Sequence, residues 1–166
     1  MGVAAVLRPG VPMGFIDGVP FVAALGAAEA MGARVAWPHD VVGEDGEPLA
    51  HVATRAGYDD EGIYVTCELE GDAAGEAAMD AAAARVDAWA AKVAAGSKAG
   101  PLAAVLEEYF DACLLMGKSV AVVRNDGTIA CKGTLAGMDI WGRVTVKLVD
   151  GRDVEIAPGQ ASVRAL

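Results

Sequence analysis

Basic residues and cysteines are scarce in this chain, and each shortage removes a class of function. Lys and Arg number 13 against 23 Asp and Glu, a formal charge of −10. Such a balance repels nucleic-acid phosphates and anionic lipid headgroups, which call for a basic patch, so neither nucleic acid nor a membrane is expected as a partner. The three cysteines, Cys67, Cys113 and Cys131, are odd in number and far apart. That spacing supports neither a disulfide framework nor a CxxC metal site, and it fits a reducing, cytoplasmic setting. The opening MGVAAVLRPGVPMGF has no basic segment followed by an apolar core and cleavage site. No run of about 18 apolar residues, the length that crosses a bilayer, is expected anywhere, so the protein reads as soluble and unexported.

What is present reads as α+β. VAAVLRP is a short apolar strand stopped by Pro9, and a helix capped by Asp17 should carry Phe21, Ala24, Leu25 and Ala28 until Gly32 ends it. ARVAWP and the two halves of HVATRAGYDDEGIYVTCELE supply further strands, the latter turning between Tyr58 and Gly62. Between Gly71 and Gly96, Met79, Ala82, Val86, Trp89 and Val93 fall on one helical face. A cofactor box is one reading of that stripe; ordinary core packing is the expected one. A further helix is expected from Pro101 to Gly117. Residues 1–116 should thus form a mixed sheet with covering helices. Residues 117–166 change texture, to short β-branched segments divided by NDG, DG and PG turns. Five strands of this size predict an SH3-like β-barrel docked on the first domain, since about fifty residues is little core alone.

At VLRP, VAWPHDV, PLAAVLEEYFDACLLMGK and the C-terminal segment ending Ser162-Val163-Arg164, the chain resembles the bacterial biotin protein ligases, including those that double as biotin repressors. These stretches fall in the family's order and cover nearly the whole chain. The resemblance implies a ligase-type catalytic domain, an SH3-like C-terminal domain, and a pocket for biotin, ATP and Mg²⁺ in which biotinoyl-adenylate forms before transfer to a carrier lysine. It places Trp37, His39, Asp40 and Arg164 as candidate ligand-binding residues.

The same alignment shows departures. The family's Lys-Trp-Pro-Asn-Asp signature stands as Ala36-Trp37-Pro38-His39-Asp40, and Pro48 and His51 occupy the places of a lysine and a glycine in the next strand. The family's Arg/Gly loop, of the type Gly-Arg-Gly-Arg-x-Gly-Arg, has no counterpart. Met1 falls where it would already have ended, so that loop and the first strands of the sheet are expected to be missing. Cys67 and Glu68 are expected to bring bulk and negative charge toward the biotin position.

Other readings of these residues stay open. His39, Asp40, His51 and Cys67 include competent metal ligands, although their spacing alone makes no site. His39 and Asp40 would serve as an acid/base pair only if neighbours on a strand shared a face, which alternation opposes. Asp40 at a turn start and Arg164 near the C-terminus also read as ordinary exposed charges. The functional expectation is a ligase-like pseudoenzyme with a binding or regulatory role. The alternative is an enzyme completed in trans by a subunit carrying the missing loop, and a third is new chemistry at His39, His51 or Cys67. An uncharged strand at residues 3–7 with an open edge predicts a homodimer or a complementing subunit.

Overall fold

The computed structural model describes residues 2–166. Strand β1 (Gly2–Leu7) leads through a 3-10 turn at Met13–Gly18 into helix α1 (Val19–Met31). Strands β2 (Arg34–Ala36), β3 (Asp40–Val42), β4 (Pro48–Asp59) and β5 (Gly62–Glu70) follow, then helix α2 (Glu76–Ala94) and a short helix α3 (Leu106–Ala112). The first sheet has the order β1-β5-β4-β3-β2, and every ladder in it is antiparallel. The expected mixed sheet is therefore corrected. Tight turns join β2 through β5 as successive hairpins, and such connections place neighbours antiparallel. The parallel contact among the described residues is a lone bridge between Val35 and Cys113.

Helix α1 buries more than the predicted stripe because both its sides are covered. Every residue from Val19 to Ala28 is buried, between β4 and β2 on one side and α2 on the other. The two helices approach so closely at Gly26 that a β-carbon there would lie 2.6 Å from the Ala81 carbonyl oxygen. This corrects the expectation about apolar runs: Met13–Met31 is long and apolar enough to cross a membrane by length and composition. It is instead the core element of this fold, mostly buried against protein. Asp17 does not cap it. Gly18 is the N-cap without a side-chain bond, and Pro20 in the first turn removes a donor that a cap would serve. Gly32 closes the helix as expected, at φ 61°.

Helix α2 buries the predicted face, with Met79, Ala82, Val86, Trp89 and Val93 turned inward. The helix predicted from Pro101 is corrected to the 7 residues of α3. The Leu102 amide donates to the Ile140 carbonyl at 2.9 Å, and Val105 sits at φ −128°, ψ 5°, so tertiary bonding replaces the first helical turn.

Strands β6 (Ser119–Arg124), β7 (Ile129–Met138), β8 (Val144–Leu148), β9 (Asp153–Ile156) and β10 (Ala161–Ala165) form a second antiparallel sheet, ordered β10-β6-β7-β8-β9. Its end strands β9 and β10 do not pair with each other among the described residues, so the expected barrel is not closed by a ladder. One hydrophobic cluster runs through both sheets, from Val52, Val65 and Leu69 to Val120, Leu135 and Val146.

Candidate functional site

Trp37 sits at the junction of the two halves as a strap. It is 2 % exposed, and its indole N–H donates to the Gly142 carbonyl at 2.8 Å, on the β7–β8 turn. The Tyr109 hydroxyl, fully buried, donates to the Pro38 carbonyl at 3.0 Å, which ties α3 to the same segment. The candidate binding residue Trp37 is thus placed in the core and lines neither of the two large clefts.

The next two residues part company. Asp40, the first residue of β3, lies on the open face of the first sheet, whereas His39, in the turn before it, faces the helix-covered side, and the two line different clefts. The structure therefore does not bring them together as an acid/base pair. Asp40 instead meets His51 across the β3–β4 ladder, its Oδ1 2.5 Å from the imidazole Nδ1. Both side chains are about half exposed.

This pair lies in a groove of about 730 Å³ between the sheets. Its walls differ in charge. The first half contributes Asp40, Glu44, Asp45, Glu70 and Asp72, while the second side contributes Lys118 and Arg164, with Leu114, Leu115 and Val163 between. Neither Lys118 nor Arg164 forms an ion pair among the described residues. Asp40 and Arg164, named from the sequence, thus share one groove. Glu44, Asp45, Glu70, Asp72 and Lys118 were not foreseen there. Period-two alternation along β5 could have put Glu70 on the open face, whereas Lys118 arrives only through the tertiary arrangement.

Cys67 and Glu68 take opposite faces. Cys67 is 1 % exposed on the helix side, where burial, and then Glu68, push its thiol up to about 11. It is an unreactive core residue at neutral pH. Only Glu68 is turned away from the core. No group of three or more His, Cys, Asp or Glu side chains among the described residues is placed to hold a metal, so His39, Asp40, His51 and Cys67 are not brought together as a metal site.

His39 lines the second cleft, of about 700 Å³, with Phe21, Thr54 and Trp141. Its ring stands edge-on to Phe21, centroids 4.6 Å apart. Its Nε2 is buried without a hydrogen-bond partner. Burial, and secondarily His51, pull its pKa down to about 4, so the ring is neutral at physiological pH.

No protein-family profile matches the sequence, and no curated protein matches it. Solved structures do. The apo biotin protein ligase of Aquifex aeolicus superposes with a TM-score of 0.68 at 16% identity, covering 99% of this chain and 82% of that one. The same enzyme in complex with biotin and ATP gives 0.65 at 15% identity, over 99% and 78%. At this identity the likeness is one of fold.

Proposed function

We propose that this chain is a ligase-fold binding protein whose groove takes a small polar ligand without activating it as an adenylate. The observation that carries this reading is the charge of the groove, where five carboxylates face two free cations. Adenylate formation concentrates negative charge at phosphorus and needs preorganised donors around it. The positions that the resemblance assigns to lysines are Ala36 and Pro48, and proline offers neither a cation nor a backbone N–H. The residues present therefore do not fit a nucleoside triphosphate, and no step through ATP, Mg²⁺ or biotinoyl transfer is assigned to them. They fit a ligand with charge at both ends, its anionic end toward Lys118 and Arg164 and its donor end toward the Asp40–His51 side. The second sheet, ordered as an SH3-like barrel would be, supplies the cationic wall.

The decisive assay is pyrophosphate release from ATP with Mg²⁺ and biotin. None above the blank is expected. Release that requires both biotin and ATP and is lost in Asp40→Ala would overturn the reading.

A second reading, completion in trans, is favoured by β1. Its partner among the described residues is β5 alone, and Val6 is 63 % exposed. An uncharged edge of this kind recruits another strand, from a second copy or from a complementing subunit that brings the cations this groove lacks.

A further inference from the structure

The cleft beneath the β7–β8 turn lies on the side of the sheet away from the acidic groove. Its aromatic wall is built rather than incidental. Trp141 is 48 % exposed, yet its backbone is held: its amide donates to Asp139 Oδ1 at 2.9 Å, and the next residue's carbonyl receives the Trp37 indole N–H. Gly142 itself sits at φ 84° directly on Phe21, where a β-carbon would come within 2.5 Å of the ring. The turn is thereby locked onto the helix that carries Phe21, and it carries Trp141 at the wall of the cleft.

The polar groups select an occupant. Arg143 is spoken for, its guanidinium bound to Asp139 at 2.7 Å and Glu155 at 3.2 Å. Asp17 lines the same cleft with no ion pair or side-chain hydrogen bond among the described residues. The unmatched charge is therefore negative. On the floor, His39 has one ring nitrogen shut off, Nε2, which leaves Nδ1 as the nitrogen open to a ligand. In the tautomer protonated at Nε2, Nδ1 presents a lone pair, and His39 then joins Asp17 as an acceptor. A volume of about 700 Å³ is ample for one small molecule.

We infer that this cleft binds a planar, cationic N–H donor of the aryl-amidine or aryl-amine class, stacked on Trp141 and held by Asp17 and His39. Indole faces attract cations, and two acceptors without a matching donor disfavour an anion. The inference does not depend on the reading of the acidic groove, whose residues it does not use.

The test uses benzamidine, with benzamide and benzoate as its neutral and anionic counterparts, on the full chain. Trp37 and Trp89 are buried, so ligand-induced change in the emission of the exposed tryptophan reports on Trp141. Saturable binding of benzamidine is expected, about tenfold tighter than benzamide, with benzoate weaker still. Calorimetry on Asp17→Asn and Trp141→Leu, both exposed substitutions, should show losses of about fivefold or more. Arg164→Ala, in the other groove, should bind benzamidine unchanged. Equal affinity for benzamidine and benzoate, no saturation by benzamidine, or unaltered binding to Asp17→Asn would each overturn the inference.

Discussion

Lowering the pH from 7.5 to 5 should destabilise the folded chain by about 2 kcal/mol through His39 alone. The imidazole falls from its ordinary 6.5 to about 4 because it is buried, with His51 adding a smaller push in the same direction. The unfolded chain takes up a proton at this residue near pH 6.5, while the folded chain resists until about pH 4. His39 therefore costs nothing above 6.5, costs more with each step down between the two values, and adds no further loss below 4. At pH 5 most unfolded chains and about one folded chain in ten carry the proton, a ratio worth about 2 kcal/mol. For a chain of this length that is a fall in Tm of roughly 4–8 °C. The measurement is urea unfolding at pH 7.5 and pH 5 for the wild type and His39→Gln. The other acidic groups titrate in both proteins and cancel in the comparison. The variant is expected to lose about 2 kcal/mol less between the two pH values, whatever its absolute stability. Equal losses in the two proteins would refute the reasoning and mean that the ring is solvated or finds a partner in solution.

Two further predictions test the packing and the sheet edge. Replacing Gly26 by Ala gains about 1 kcal/mol of helix propensity but forces a methyl against the Ala81 carbonyl, an overpacking cost of roughly 1–3 kcal/mol. A lower denaturation midpoint is expected, and a higher one would show that the helices separate freely. Val6→Lys places a charge on the exposed side of β1 without touching the core, whereas Ala5, opposite Cys67, points inward. If β1 joins copies of the chain, light scattering should show association in the wild type and a shift toward monomer in the variant; the same mass for both would remove that edge from the assembly.

Legibility in the sequence followed how local each cause was. The face of α2 and the five C-terminal strands are written in periodicity, because each buries one side only, and the structure places them where alternation and turn residues say. Gly32 was readable as a helix stop because its left-handed backbone is a local requirement. Helix α1 was readable as well, from Phe21, Ala24, Leu25 and Ala28 at helical spacing, but its burial on two sides, which covers every residue from Val19 to Ala28, depends on α2 packing against it. The false length of the helix after Pro101 came from counting apolar residues that are buried without being helical; the Ile140 carbonyl that claims the Leu102 amide lies 38 residues away. At the site, alternation argued against His39 and Asp40 acting together, and the two do line different clefts, although His39 lies in the turn before β3 and not on a strand. The partnership of Asp40 with His51, and the arrival of Lys118 and Arg164 opposite them, depend on ladder register and sheet packing that no single segment encodes.

The strap from Trp37 to Gly142 has a consequence for anyone who would recombine this protein. A boundary drawn at Gly117 cuts the backbone between two sheets, but the joint itself lies elsewhere, in an indole from the first half locked to a turn in the second and a phenyl ring seated where that turn has no side chain. The halves are keyed to each other like the two parts of a latch. A C-terminal sheet borrowed from another protein would have to bring both a residue tolerating φ 84° without a β-carbon and a free carbonyl at the same spot. Chimeras that exchange the turn Asp139–Gly142 together with residues 15–37 preserve the key and the lock as one unit, whereas those that cut at the linker break it while leaving every strand intact.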